Sequence, residues 1–247
     1  MTIIKTPEVT PLGGFSIASS DSPTMIETLK TRMEHGQTAL FFANTNFIVK
    51  CQHLKETMNQ PDTLIINDGI GLDIASWIVH RHSFIENLNG SDFLPQLFQS
   101  IQANARLFLV GAKPGIAARA AENLTKNHRI TVVGARNGYD DMKDSKKLIQ
   151  EINESKANII LVAMGNPYQE QWIINHRHDI SASLLIGVGA FLDFLAGDKP
   201  RAPELIRRLR LEWFYRLCLE PSRLLKRYTI DIAVFLRLCL RQGKSLG

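Results

Sequence analysis

The stretch Thr63-Leu64-Ile65-Ile66-Asn67-Asp68-Gly69-Ile70-Gly71 joins a short apolar run to a polar, glycine-containing tip, and its reading decides the fold. Five residues are too few for a stable helix, and an apolar run bounded by turn residues reads as a strand buried on both faces. The same unit recurs to either side, at Thr38–Ala43, Arg106–Val110, Ile130–Gly134, Asn158–Ala163 and Leu184–Val188. The segments between carry helix signatures. Ser91-Asp92 precedes an amphipathic stretch to Ala103, and Lys113-Pro114-Gly115 opens Ile116–Thr125 with proline near the first turn. Strands alternating with helices predict an α/β, Rossmann-like fold, a mainly parallel, doubly wound sheet of about six strands. Ligands of such sheets bind beyond the carboxyl ends of the strands, so the residues after each apolar run are the place to look for chemistry.

Those residues are polar or glycine. Asn44-Thr45-Asn46 follow the first run, Asp68-Gly69-Ile70-Gly71 the second, Gly111-Ala112-Lys113-Pro114 the third and Ala135-Arg136-Asn137-Gly138-Tyr139 the fourth. Gly165-Asn166-Pro167-Tyr168-Gln169-Glu170 follow the fifth and Gly189-Ala190-Phe191-Leu192-Asp193 the sixth. Asp68 is the catalytic candidate, because a carboxylate on a rigid strand tip can reach a substrate hydroxyl, and a general base is worth ~100 to 10,000-fold in rate. The competing reading is a helix N-cap, which Asp before Gly serves without chemistry. The 165–170 segment suits a phosphate or sugar platform, with backbone N–H groups at a helix start and Gln169 able to donate and accept. Gln and Glu at that place are also routine capping residues. Gly111–Gly115 is neither a Walker A sequence nor a full GxGxxG, and its glycines also suit a tight turn. HExxH does not occur, and the i,i+2 spacing of His80/His82 and His176/His178 puts the imidazoles on different helix faces, so no metal is expected.

The chain has 247 residues, 45% hydrophobic and 21% charged, which suits a globular domain with a sizeable core. Its net charge of +5 is unevenly placed. Residues 199–247 hold 12 Lys and Arg against 4 Asp and Glu, or +8, while residues 1–198 hold 17 against 20, or −3. Such a tail favours an anionic partner. Glu212, Arg216 and Glu220 form one polar stripe on a helix otherwise covered by Leu211, Trp213, Phe214, Tyr215, Leu217, Cys218 and Leu219. Beyond Pro221, Arg223, Lys226, Arg227, Arg237 and Arg241 are interleaved with Leu224, Leu225, Tyr228, Ile230, Val234, Phe235, Leu236 and Leu238. That mixture describes an interfacial helix on an anionic membrane surface. A helix pair packed on the domain, or a homo-oligomer interface, is the alternative. Residues 1–197 are thus read as the catalytic α/β domain and 198–247 as a basic, amphipathic helical appendage. No apolar run reaches the ~20 residues of a membrane span, and no N-terminal signal is visible. Cys51, Cys218 and Cys239 lack any CxxC spacing, which fits a reducing cytosol.

The run Gly187-Val188-Gly189-Ala190-Phe191-Leu192-Asp193, then Ala196–Pro203, then Leu211–Leu217 and Glu220-Pro221-Ser222-Arg223, closely resembles the WecG/TagA/CpsF glycosyltransferases. Asp68-Gly69, Gly90-Ser91-Asp92, Gly138-Tyr139 and Gly165–Glu170 match as well, so the resemblance runs from about Phe41 to Arg227. It implies a metal-independent, cofactor-free, inverting hexosyltransferase. Such an enzyme moves a sugar from a UDP-sugar to a polyprenyl-diphosphate-linked sugar at the inner face of the cytoplasmic membrane. The products in the family serve exopolysaccharide, common antigen or teichoic acid synthesis. Asp68 would be the base, Asn44 or Thr45 and Gln169 would touch sugar, and Arg216, Arg223 and Arg227 would complete the site over the nucleotide diphosphate. Asn46, Gly69, Asp92, Gly111, Lys113, Tyr139, Gly165, Pro167, Glu170, Gly189, Asp193 and Arg201 are the further residues expected to line the substrates. Where many relatives carry threonine, this chain has Asn44, and its segment from Asn46 to Asp68 is a few residues shorter than usual. Without a DxD-type metal site, arginine has to stabilise the departing diphosphate. Two other classes compete. A nucleotide-binding oxidoreductase shares the α/β alternation but calls for a full GxGxxG with an acidic residue ~20 positions on, which is missing. A basic nucleic-acid-binding module rests on the tail alone, and no nucleic-acid partner is expected.

Overall fold

The computed structural model describes residues 7–208 and 211–245, with the side chains at 208, 223, 227, 228 and 242–245 outside that description. Eight strands form one sheet: β1 Glu8–Leu12, β2 Phe15–Ser19, β3 Thr38–Ala43, β4 Thr63–Asn67, β5 Arg106–Gly111, β6 Thr131–Arg136, β7 Ile159–Ala163 and β8 Leu184–Gly187. Their spatial order is β1-β2-β4-β3-β8-β7-β5-β6. All neighbours are parallel except the β1–β2 hairpin. Every residue of β3, β4, β7 and β8 is buried, as unbroken apolar runs require of strands covered on both faces.

The sheet therefore has two strands more than the six expected. The addition is the N-terminal hairpin, β1 and β2, whose strands hold Pro11 and are joined by Gly13-Gly14. Proline is tolerated on an edge strand because no ladder bond is lost there, and the two glycines turn the chain with φ of +61° and +92°.

Thirteen helices are seen among the described residues. They are α1 Ser22–His35, α2 Thr45–Lys50, α3 Lys55–Met58, α4 Ile70–His80, α5 Gly90–Ile101, α6 Ile116–His128, α7 Ser145–Glu154, α8 Tyr168–His176, α9 Phe191–Leu195, α10 Glu204–Arg208, α11 Glu212–Leu219, α12 Pro221–Tyr228 and α13 Ile230–Ser245. Alternate residues of each strand feed opposite layers. Leu40, Ile66, Leu109 and Ile186 pack against α1, α5, α6 and α9 through Met25, Phe93, Leu124 and Phe191. Phe41, Ile65, Val110 and Leu185 pack against α2, α4, α7, α8 and α13 through Phe47, Leu72, Leu148, Trp172 and Phe235.

The basic tail is helical, as expected, but the stretch beyond Pro221 is broken in two. Thr229, at φ −119° and ψ −81°, separates α12 from α13. The last helix packs on α2 and α4 with Phe235 and Cys239 fully buried. The front of the tail is tied down by charge: Arg201 and Arg207 reach Asp92 at 2.8 and 3.3 Å, and Lys199 reaches Glu220 at 3.3 Å. Among the described residues no helix is long and apolar enough to cross a membrane.

Candidate functional site

β3 and β4 are parallel neighbours in a register that places Ala43 beside Asn67, so the next residues, Asn44 and Asp68, emerge side by side at the carboxyl edge. The Asp68 backbone N–H donates to the Ala43 carbonyl at 2.7 Å, extending the ladder by one bond. Asn44 then does two things. Its Oδ1 accepts from the Phe47 N–H at 3.1 Å and caps α2, while its Nδ2 donates to Asp68 Oδ2 at 3.3 Å. Gly69, not Asp68, occupies the cap position of α4, with φ +98°, and its N–H donates to Asn87 Oδ1 at 2.7 Å. A side chain at Gly71 would collide with the Thr45 methyl, so glycine there lets α4 start hard against α2.

A second cluster links the ends of β3, β7 and β8. Asn46 Nδ2 donates to Asn166 Oδ1 at 3.4 Å, and Asn166 Nδ2 donates to Glu170 Oε1 at 2.8 Å. Gln169 Oε1 accepts the N–H groups of Gly165 and Gly189, at 3.1 and 2.9 Å, and its Nε2 donates to Glu170 Oε1 at 2.7 Å. Gly187 makes room for that amide, since a Cβ there would lie 3.0 Å from Gln169 Nε2. Gln169 and Glu170 are only 4% and 1% exposed. They stand behind the open edge and set the shape of the Gly165 and Gly189 loops. Burial pushes the Glu170 carboxyl up to about 7 against the donation it receives from Gln169 and Asn166. Its Oε2 has no hydrogen-bond partner among the described residues, and the buried Cys51 thiol lies against the same carboxyl.

On the far side, the chain leaves β7 towards β8 and leaves β5 towards β6, in opposite directions across the sheet. In open parallel sheets such a switch point is where ligands bind. Its two sides here are the Gly165–Pro167 turn, whose Asn166–Pro167 bond is cis, and Gly111-Ala112-Lys113. Gly111 has φ +119°, and a Cβ on it would overlap the backbone of Ala163, so no other residue fits. Lys113 is exposed, and so is Tyr139 beside Gly138, whose N–H donates to the Ala112 carbonyl at 2.9 Å. Asp193, in the first turn of α9, is raised by burial and by Asp198, with Lys199 and Lys113 opposing.

The remaining expected residues fall elsewhere. Asp92 sits at the start of α5. Burial alone would raise its carboxyl, but the bonds from Asn89 and Arg201 and the charges of Arg201 and Arg207 hold it below the usual range. Arg201 is spent on that ion pair and on the Ser91 carbonyl at 3.4 Å. Arg216 lies 4.9 Å over the Phe194 ring of α9, the helix that leaves the end of β8, and pairs with Glu212 at 2.8 Å. Arg223 and Arg227 lie on α12, and their side chains are outside the described residues. Three residues with no assigned role prove to matter: Asn87, which holds Gly69; Asn166, which couples Asn46 to Glu170; and Asn67, fully buried beside Asp68 with no side-chain partner among the described residues. Asn87 and Asn166 each lie within a motif of polar residues, the only signal the sequence offers for them.

A family model described as "Glycosyl transferase WecG/TagA/CpsF family" matches residues 10–246. Among characterised proteins, the chain is 29% identical over 220 residues to N-acetylglucosaminyldiphosphoundecaprenol N-acetyl-beta-D-mannosaminyltransferase of Staphylococcus aureus strain NCTC 8325 / PS 47, covering 85% of each chain. The same enzyme from strain MRSA252 matches with the same identity and coverage. A structure of the Salmonella typhimurium RcsB response regulator overlaps 57% of this chain and 87% of its own at 20% identity, with a TM-score of 0.25, too loose a likeness to bear on the fold.

Proposed function

The chain belongs to the WecG/TagA/CpsF family of glycosyl transferases, and on that premise we propose that it moves one sugar from a UDP-sugar to a polyprenyl-diphosphate-linked sugar, with inversion. The observation that carries this reading is the Asp68–Asn44 pair on adjacent central strands, at the same edge as the switch point between β7 and β5. Asp68 takes the proton of the acceptor hydroxyl, and that oxygen attacks the anomeric carbon from the face opposite UDP. The bond from that carbon to the diphosphate oxygen breaks, and UDP leaves with the electron pair. Asn44 holds the carboxylate in place and, with Thr45, Asn46 and the groups set by Gln169, faces the sugars.

The switch point suits the donor's diphosphate, because the backbone N–H groups and lysine of the Gly111–Gly115 loop favour anions. Arg216, Arg223 and Arg227 supply the positive charge that the leaving group needs, their planar forks matching phosphate oxygens. No step calls on a metal ion. In this division of labour residues 1–197 carry the chemistry, and residues 198–247 bring the arginines and a contact with the inner face of the cytoplasmic membrane. The family membership speaks against the oxidoreductase and nucleic-acid readings.

The relatives' names give N-acetylmannosamine as the sugar and an N-acetylglucosaminyl-diphosphate lipid as the acceptor, so with the UDP carrier proposed above these make the first pair to try. The test is the full chain incubated with that pair, then with other UDP-sugars and lipid-diphosphate acceptors, with the product's anomeric configuration read by NMR. Transfer with inversion supports the reading. Retention, or no transfer with any pair, contradicts it.

A further inference from the structure

Helix α4 is apolar on both sides. Leu72 and Ala75 enter the core with the partly buried Val79, while the opposite face shows Ile74, Trp77 and Ile78 at 50, 56 and 37% exposure. Spaced i, i+3 and i+4, the three form one stripe where a helix facing water would carry polar residues. The stripe ends in Arg81, whose guanidinium lies 5.6 Å over the Trp77 ring, and Ile85 follows it, also exposed.

Helix α13 packs beside α4 in the same layer, with Phe235 and Cys239 in the same core as Leu72 and Ala75. Two helices that bury their inner faces in one core turn their outer faces to the same side. The outer face of α13 shows Ile230, Val234 and Leu240 with Arg237 and Arg241. Among the described residues, the exposed positions of both helices and of the turn after α4 include these arginines and no carboxylate.

We propose that α4 and α13 together form a membrane seat for an anionic bilayer, with Trp77 entering the headgroup region. The charge decides the occupant. A second copy laid on this face by a two-fold axis would offer these arginines no exposed carboxylate to pair with, whereas anionic lipid neutralises them. Tryptophan beside arginine, above aliphatic side chains, is the composition of an interfacial helix. The membrane contact thereby extends from the basic tail into the catalytic domain. Helix α4 begins two residues after Asp68, and at ~1.5 Å per residue Trp77 lies about 10 Å along its axis from Ile70. The seat thus borders the base, which suits an acceptor sugar held one diphosphate away from the lipid. That last point rests on the proposed reaction.

The test is flotation of the full chain with phosphatidylcholine vesicles, with and without phosphatidylglycerol, comparing wild type with Trp77→Ser and Ile78→Ser. Both side chains are exposed, and circular dichroism confirms that the variants fold. Binding that requires phosphatidylglycerol and falls about tenfold in Trp77→Ser supports the seat. In a Trp213→Phe background, quenching by brominated lipid reports Trp77, because Trp172 is buried. Transfer to a long-chain acceptor in vesicles falls in Trp77→Ser, while transfer to a short-chain, water-soluble acceptor does not. Unchanged flotation of the variants, unquenched fluorescence, or a wild-type dimer split by Trp77→Ser without vesicle binding would overturn the proposal. Flotation needs no turnover, so failure to find a donor or acceptor sinks the proposed reaction and leaves this result standing.

Discussion

A carboxyl that takes two amide donors on one oxygen and meets only a thiol near the other is held close to the point of protonation. Glu170 is that group, raised from 4.5 to about 7 by burial. The folded state keeps the proton over a range where the unfolded chain has released it. Stability is therefore fully present below about pH 4.5, declines as pH rises to about 7, and is flat beyond. A rise of that size corresponds to roughly 3 kcal/mol. Glu170→Gln removes the titration. Urea melts at about pH 5 and about pH 8 should show wild type losing more stability than the variant, by an amount of that order; parallel losses would mean that Glu170 is ionised throughout. The position of this carboxyl is not legible in the sequence. Gln169 and Glu170 look like surface capping residues, and only the folded chain shows that α8, the helix leading from β7 to β8, buries both side chains. The Asp92–Arg201 pair, 109 residues apart, is equally hidden.

At the scale of elements, β3 and β4 begin and end where their apolar runs do, because strands buried on both faces tolerate no polar residue until the edge is reached. The same rule exposed the strand tips, so Asn44, Asp68, Gly111 and Gly165 could be named in advance. It missed β1 and β2, which lie at the sheet's margin and include exposed Val9 and a proline. It also gave no sign that the tail's last helix reaches back to α2, the helix that Asn44 caps. Phe235 is the anchor of that contact. Its truncation to alanine should cost about 3–5 kcal/mol of docking. Amide exchange should then quicken in α13 and α2 while β3 and β8 stay protected. Unchanged exchange in α2 would show that the two helices are independent.

Across the whole molecule the charge is divided, −3 over residues 1–198 and +8 over the rest, so attraction to an anionic surface falls mainly to the tail. The same tail closes the core at Phe235 and sets Arg216 against α9. Ending the chain at about Asp198 should therefore abolish both vesicle flotation and sugar transfer; a soluble truncated form with full activity would reduce the tail to an anchor. Asp68→Asn in the full chain decides whether this edge of the sheet transfers sugar with Asp68 as its base. Transfer to the lipid-linked acceptor and equilibrium binding of the UDP-sugar are measured on the same preparation. Transfer should fall by about a hundredfold or more while donor binding persists. Near-normal turnover would contradict Asp68 as the base.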